Sequence, residues 1–281
     1  MMAAMVSQAR PLLTSTANPR VAAALALRER RDRDRTGLTL IDGAREVRRA
    51  VEAGVEVVEA FVCEPLLAGP DARVALDRLV AGTAPVHRTN EHVFGRLAFG
   101  ERAEGVLAVV RIPSLELDDL ALPADPLVLV LEAVEKPGNL GAALRSADGA
   151  GVDAVVAASP RTDLFNPNAI RASAGTVFTV PVAAAETSAV LDWFRDRAIR
   201  IVAARVDADR VYTGADLTGP LAIALGAESD GLTEAWAADD IEAVRLPMLG
   251  IADSLNVSVT AAVLAYEARR QRGEPTRPTG R

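Results

Sequence analysis

The chain has 281 residues, 50% apolar and 25% charged, a balance that suits two ordinary globular domains and excludes an extended disordered chain. Its one cysteine, Cys63, excludes an intrachain disulfide and a cysteine-ligated metal centre within one chain. No apolar run approaches the ~20 residues of a membrane helix, and MMAAMVSQARPLL lacks a signal-like apolar core, so the expectation is a cytoplasmic protein with no membrane and no metal. In chain order, residues 1–17 read as a flexible tail. A helical stretch follows Asn18-Pro19 through VAAALALRERRDRDR and ends at Thr36-Gly37. LTLIDG (38–43) reads as a strand, AREVRRAVEAG (44–54) as a helix capped by Gly54, and VEVVEAFVC (55–63) as a strand. Helices around 71–81 and 90–97, a short strand near 84–87 and the strand 105–113 complete an α/β unit over 18–113. SLELDDLALPADP (114–126), acidic and with two prolines, reads as a linker. The second unit, 127–272, opens with LVLVLEAV (127–134), apolar enough for a strand buried on both faces. Further strands are expected at 153–159, 199–205 and 221–227, alternating with helices at 139–150, 167–174, 187–197 and 232–238, which implies a mostly parallel sheet. A long helix over 254–272 closes the unit, and 273–281 reads as a second flexible tail.

Charge is unevenly spread. Of the net −7, residues 1–49 carry +5 (ten arginines, five acids), leaving −12 for the remainder. Thirty of the 31 basic residues are arginine, Lys136 being the only lysine. Arginine suits phosphate by its fork geometry and stacks on bases. The same bias would also follow from a GC-rich coding sequence.

Three segments of the second unit carry candidate chemistry. EKPGNLGAALRSADGAGVDAVV (135–156) runs from a strand through Pro-Gly-Asn into a helix, with Asn139 at the helix mouth and Arg145 within its first turns. LAIALGAESDGLTEAW (221–236) ends a buried strand at Gly226 and then presents Glu228, at the strand end where open parallel sheets bind ligands. RLPMLGIADSLNVSVTAAVLAYE (245–267) leads through Gly250 to Ser254-Leu255-Asn256 at a helix start, with Ser254 a candidate N-cap and Asn256 in need of hydrogen-bond partners. Taken singly, each also reads as an ordinary structural turn, loop or cap.

Together they resemble, in order and wording, the three motifs of the SpoU (TrmH) family of RNA 2′-O-ribose methyltransferases, of the SPOUT class. The matching stretches are NLGAALRSA (139–147), LGAESDGL (225–232) and LPMLGIADSLNVS (246–258), with RASAGTVFTVPV (171–182) between them. Upstream, residues 14–47 are similar to the N-terminal RNA-substrate-binding domain of rRNA-directed members, a fold shared with small ribosomal RNA-binding proteins. Asp42, Leu246 and Glu104-Gly105 depart from the usual residues, the last with a bearing on RNA contacts.

The resemblance implies a C-terminal α/β methyltransferase domain with a deep trefoil knot, S-adenosylmethionine as cofactor and a homodimer through that domain. It places Gly226, Leu246, Leu255, Ala204, Leu225, Met248 and Asn256 at the cofactor, and Arg145, Asn139, Glu228, Ser254 and Asn256 at the reaction. Asn18, Arg20, Arg28, Arg30, Arg31 and Arg45 of the basic first third are the candidate RNA contacts. The family often assigns the general base to the arginine matching Arg145. A guanidinium ordinarily titrates at roughly 12.5 or above and has no free lone pair while charged, so gripping phosphate and polarising the hydroxyl is the alternative. The implied substrate is RNA, 23S rRNA first, with a role in resistance to a ribosome-targeting antibiotic equally compatible. A tRNA enzyme or a non-catalytic RNA-binding or ribosome-assembly factor are the other readings. His87 and His92 lack metal-ligand spacing, Trp193 and Trp236 read as packing residues, Glu132 and Glu135 as strand-end and loop positions, and Cys63 as a core residue.

Overall fold

The computed structural model describes residues 11–99 and 103–273, so most of the first expected tail and 274–281 of the second lie outside the described residues. The chain forms two compact units. The first comprises residues up to Pro113 together with Asp163–Thr179, and the second comprises Ser114–Thr162 and Val180 onward.

In the first unit, helices α1 (Pro19–Ala26) and α2 (Arg30–Thr36) precede strand β1 (Leu38–Asp42). Helix α3 (Ala44–Glu52), strand β2 (Val57–Val62), helix α4 (Gly69–Ala81), strand β3 (Val86–Arg88), helix α5 (Glu91–Leu97) and strand β4 (Val106–Arg111) follow. The sheet order is β1-β4-β2-β3, with β4 antiparallel to both neighbours and β2 parallel to β3. The single helix expected after Asn18 is broken at 27–29. Gly37 (φ 65°) supplies the left-handed residue that ends α2. Residues 11–17 are not a free tail: Leu13 is buried and its amide donates to the Arg88 carbonyl at 2.8 Å. Cys63 lies in this core, where burial pushes its thiol pKa up.

Helix α7 (Pro167–Ala172) belongs to this unit although it falls inside the 127–272 stretch. The Thr39 hydroxyl donates to the Phe165 carbonyl at 2.7 Å, and Arg171 pairs with buried Asp42 at 3.3 Å. Arg33, only 2% exposed at its side chain, donates to the Leu27 and Arg28 carbonyls and pairs with Asp163 at 2.6 Å. A buried guanidinium needs such partners. Arg33 therefore belongs to the core and not to the basic surface.

The second unit holds strands β5 (Leu127–Glu132), β6 (Ala154–Ala158), β7 (Val182–Ala185), β8 (Arg200–Ala204), β9 (Leu221–Leu225) and β10 (Ile241–Val244). All pair in parallel, in the order β10-β8-β9-β5-β6-β7. Helices α6 (Pro137–Ala150), α8 (Thr187–Asp196) and α9 (Val257–Arg272) cover it. Every residue of β5 is buried, as its unbroken apolar run requires of a central strand. From β5 the chain runs outward through β6 and β7, then crosses to β8 and returns to place β9 against β5. The strand order therefore reverses at the β5–β9 pair, and a crevice opens beyond their carboxyl ends. The expected linker is docked: Leu117, Leu120 and Leu122 pack on this core, and Asp118 accepts from the Trp193 indole at 3.1 Å. The helix expected at 232–238 is a single 3-10 turn, Glu234–Ala237, whose Trp236 is fully buried. Strands β7 and β10 were not anticipated, because their short Ala- and Val-rich segments carry no clear period.

Candidate active site

Three chain segments converge at the carboxyl ends of β5 and β9. Pro137, at the first position of α6, pre-sets the backbone for the helix and puts Asn139 in its first turn. The loop after β9 carries Glu228. Asn256 is the N-cap of α9: its Oδ1 accepts from the Ser258 amide at 3.0 Å and the Ser258 hydroxyl at 2.6 Å. This corrects the expectation that Ser254 caps a helix beginning there. Ser254 is exposed in the loop before α9, and Asn256 is exposed as well.

Glu228 is the hub. Its Oε1 accepts from the side-chain amides of Asn139 and, at 2.7 Å, of Asn256, while Asn256 also donates to Asn139 Oδ1 at 3.2 Å. Its Oε2 accepts from Lys136 Nζ at 2.8 Å. That hydrogen bond, with the carboxylate's charge, holds the Lys136 ammonium above its ordinary pKa. Lys136 was noted in the sequence only as the sole lysine; the carboxylate facing it comes from 92 residues later, so no local pattern marks it.

Arg145 is not brought into this cluster. Six residues along an α-helix amount to a rotation of about 600°, so Arg145 leaves α6 roughly 120° around from Asn139 and about 9 Å further along. It is exposed and makes no hydrogen bond or ion pair with the described residues.

Beside the cluster a cavity of about 670 Å³ is lined by Ala204, Leu225, Gly226, Leu246, Met248 and Leu255, and also by Glu228, Ser254, Asp230, Asp253 and Thr260. Asn256 is adjacent in sequence but does not line it. At Gly226 a Cβ would fall on the backbone of Gly231 and Leu232, closer than real Cβ atoms ever come, so only glycine lets the loop close on itself here. A smaller cavity of about 240 Å³ lies on the other side of Glu228, lined by Val134, Glu135, Lys136 and Asn139.

Sequence reasoning also passed over Glu132 as a positioning residue. Buried at the end of β5, it accepts from the Thr187 hydroxyl at 2.8 Å, the Thr233 amide at 2.8 Å and the Thr233 hydroxyl at 2.9 Å. It thereby ties the far end of the Glu228 loop to the sheet. Glu135 is exposed and pairs with Arg161.

The candidate RNA residues lie in the first unit. Asn18 caps α1, accepting from the Arg20 amide at 3.0 Å, and Arg20 pairs with Glu59 at 3.3 Å. Arg28 closes the end of α5, donating to the carbonyls of Arg96, Leu97 and Ala98, and its pKa is lowered by burial. Arg30 lies 3.6 Å from Asp34, and Arg31, almost fully exposed, 3.8 Å from Asp32. Arg45 pairs with Glu46 at 3.1 Å and lines a polar cavity of about 420 Å³ with Glu104 and Arg171.

An open parallel α/β sheet with a cavity at its switch point, walled by glycine-bearing loops, defines a small-molecule-binding α/β domain. The match to known proteins is narrower: the SpoU rRNA Methylase family covers residues 126–266, and an MRM3-like substrate binding domain covers 18–108. The chain belongs to the SpoU rRNA methylase family. It is 39% identical over 158 residues to the 23S rRNA (guanosine-2′-O-)-methyltransferase RlmB of Pectobacterium atrosepticum, matching 56% of this chain and 64% of that protein. It is 31% identical to the 23S rRNA (uridine(2479)-2′-O)-methyltransferase of Streptomyces viridochromogenes, over 88% of this chain and 87% of that one. Among solved structures, an RNA 2′-O ribose methyltransferase is 43% identical, with a TM-score of 0.80 over 93% of this chain and 99% of that chain. The AdoMet-bound rRNA methyltransferase of Sinorhizobium meliloti is 28% identical, with a TM-score of 0.84 over 92% and 97%.

Proposed function

We propose that this protein transfers a methyl group from S-adenosylmethionine to a ribose 2′-hydroxyl of RNA, with 23S rRNA as substrate, in the cytoplasm. The observation that carries the reading is the Asn139–Glu228–Asn256 cluster, whose Glu228 lines the 670 Å³ cavity, in a chain whose relatives are rRNA 2′-O-methyltransferases.

The cavity fits the cofactor. Its volume lies in the ordinary small-ligand range, its walls are apolar side chains and loop backbone, and Gly226 lets the Gly231–Leu232 backbone close against it to shape that wall. Leu225, Gly226, Leu246, Met248 and Leu255 would hold the adenosine part, and the carboxylates of Asp230 and Asp253 suit its cationic end. When bound, the cofactor supplies a methyl group made electrophilic by its sulfonium. The chain's own task is positioning: to hold a ribose 2′-oxygen in line with that methyl and to accept or polarise the hydroxyl proton. Glu228 has lone pairs to accept the hydroxyl's hydrogen bond. The two asparagine amides fix its Oε1 and keep the carboxylate from rotating. Arg145, charged and exposed, stabilises anionic character on the substrate without a proton transfer of its own.

We further propose that the loops after β9 and β10 form the trefoil knot and that the chain works as a homodimer through its second unit. Supporting the knot is the closing of both loops around one cavity, and supporting the dimer are the exposed apolar side chains of Leu249, Ile251, Leu255 and Val259. The first unit serves as the RNA-binding domain, with Arg31, almost fully exposed, as an accessible contact among the candidates. Transfer of a tritiated methyl group from the cofactor to total RNA, with the product nucleotide mapped by reverse-transcription stops at low nucleotide concentration, tests the reading. Label confined to tRNA, or no label at all, would replace it with the tRNA-enzyme or the non-catalytic reading respectively.

A further inference from the structure

The chain's only lysine lies at the Glu228 cluster. Lys136 precedes α6, its side chain is 72% exposed, and its Nζ sits 2.8 Å from Glu228 Oε2. The two oxygens of that carboxylate are divided: Oε1 serves the amides of Asn139 and Asn256, and Oε2 serves the ammonium. Lys136 also lines the smaller, 240 Å³ cavity, which shares Ala227, Glu228, Ser229 and Val257 with the larger one.

The charged residues lining the smaller cavity are Glu135 and Glu228 against Lys136. Arg161 is committed to Glu135 and lies 3.7 Å from Asp230. An RNA backbone must approach this net negative rim. In RNA the carbon bearing the 2′-hydroxyl adjoins the carbon bearing the 3′-phosphodiester, so a ribose presented to Glu228 brings a phosphate with it. Lys136 is the cation placed to receive that phosphate.

Resting on the methyl-transfer reading, we propose that Lys136 anchors the phosphodiester next to the target ribose, moving from Glu228 Oε2 to the phosphate as RNA binds. The move frees Oε2 to accept a hydrogen bond from the 2′-hydroxyl. Glu228 is thus masked in the free protein and uncovered by the correct substrate. The chemistry also explains why an ammonium stands here in a chain otherwise built with arginine. A guanidinium fork binds both oxygens of a carboxylate at once and would displace the asparagine amides from Oε1. A lysine is a compact charge with three rotatable donors, able to hold one oxygen and then leave it.

The test uses the full-length protein, 23S rRNA and S-adenosylmethionine. RNA affinity is measured by filter binding between about 50 and 300 mM KCl, alongside methyl transfer, and cofactor affinity by calorimetry confirms the site is intact. Lys136→Gln is expected to reduce the slope of log affinity against log salt by roughly 0.7–0.9, the loss of one phosphate contact. Lys136→Arg is expected to lower the salt slope as Lys136→Gln does and to lose at least about tenfold in kcat, because the guanidinium stays on both oxygens of Glu228 instead of moving to the phosphate. A wild-type slope in Lys136→Gln would overturn the proposal, whatever happens to its turnover, because Lys136 would then act only through Glu228. Wild-type kcat in Lys136→Arg would overturn the requirement for an ammonium. A wild-type protein that binds rRNA but transfers no methyl would instead sink the methyl-transfer reading.

Discussion

Gly226→Ala puts the pocket geometry to a direct test. A Cβ at this position would lie inside 3.0 Å of the Gly231 carbonyl carbon and oxygen and the Leu232 nitrogen, all main-chain atoms that cannot rotate away. Restoring ordinary contact at 3.4 Å requires the Gly231–Leu232 backbone, or that of β9, to retreat by on the order of an ångström. Overpacking of this kind costs about 1–3 kcal/mol. Because Gly226 and Gly231 both line the 670 Å³ cavity, the displacement reshapes the site itself. If the cost falls on the bound state, cofactor affinity drops by roughly 5- to 150-fold. Gly138→Ala is the matched control: it lies in α6, and a Cβ there meets nothing within 4 Å, so it should be neutral or slightly stabilising. Calorimetric titration with S-adenosylmethionine and a thermal melt of both variants give the comparison. Wild-type affinity together with wild-type Tm in Gly226→Ala would refute the argument that the two backbones need the glycine.

Arg145→Ala should lower kcat/KM by about a hundredfold or more while leaving cofactor affinity unchanged, since the side chain lines neither cavity at Glu228. Near-normal turnover would remove Arg145 from the reaction. Asp163→Ala leaves the Arg33 guanidinium buried without its counter-charge and should destabilise the first unit by about 3–5 kcal/mol in urea unfolding. A loss under about 1 kcal/mol would show that the pair is not worth its burial. Glu267 is held down to a pKa of about 2 by Arg270, with Gln271 also donating to it. A depressed carboxylate pKa adds stability above the unfolded value near 4.5 and loses it as pH falls toward 2. Glu267→Gln should therefore cost up to ~1 kcal/mol at neutral pH, with the gap to wild type closing between pH 4.5 and 2. A gap constant with pH would mean packing, not charge, is responsible.

Local signals were read well wherever the physics was local. The apolar run of β5, the Pro-Gly-Asn entry into α6 and the glycine that ends α2 each act within a few residues, and the elements appear there. Asn139, Glu228 and Asn256 were picked out by motif resemblance, and the fold does bring them within hydrogen-bonding distance. Misreadings came where a local cue had two outcomes. Ser254 and Asn256 are both good N-caps, and the cap falls on the one whose side chain also reaches Glu228. Arg28 and Arg33 count as basic surface in any tally of charge, yet one closes the end of α5 and the other is buried against Asp163. The acidic stretch 114–126 looks like a linker by composition, but Leu117, Leu120 and Leu122 pack, partly buried, against the second core.

What the sequence determined by itself was the alternation of strands and helices, the family and the segments that bear its chemistry, because periodicity, caps and motif wording depend on near neighbours in the chain. The tertiary structure alone decided which residues share an atom. It returned Asp163–Thr179 to the first unit, tied Glu132 to Thr233 and joined Asn139 and Asn256 at Glu228 with no hydrogen bond from Arg145. It also set Lys136 against a carboxylate 92 residues away. Those outcomes depend on which strands become neighbours and on the angle at which a helix presents each side chain, and neither is written in any local stretch of the chain.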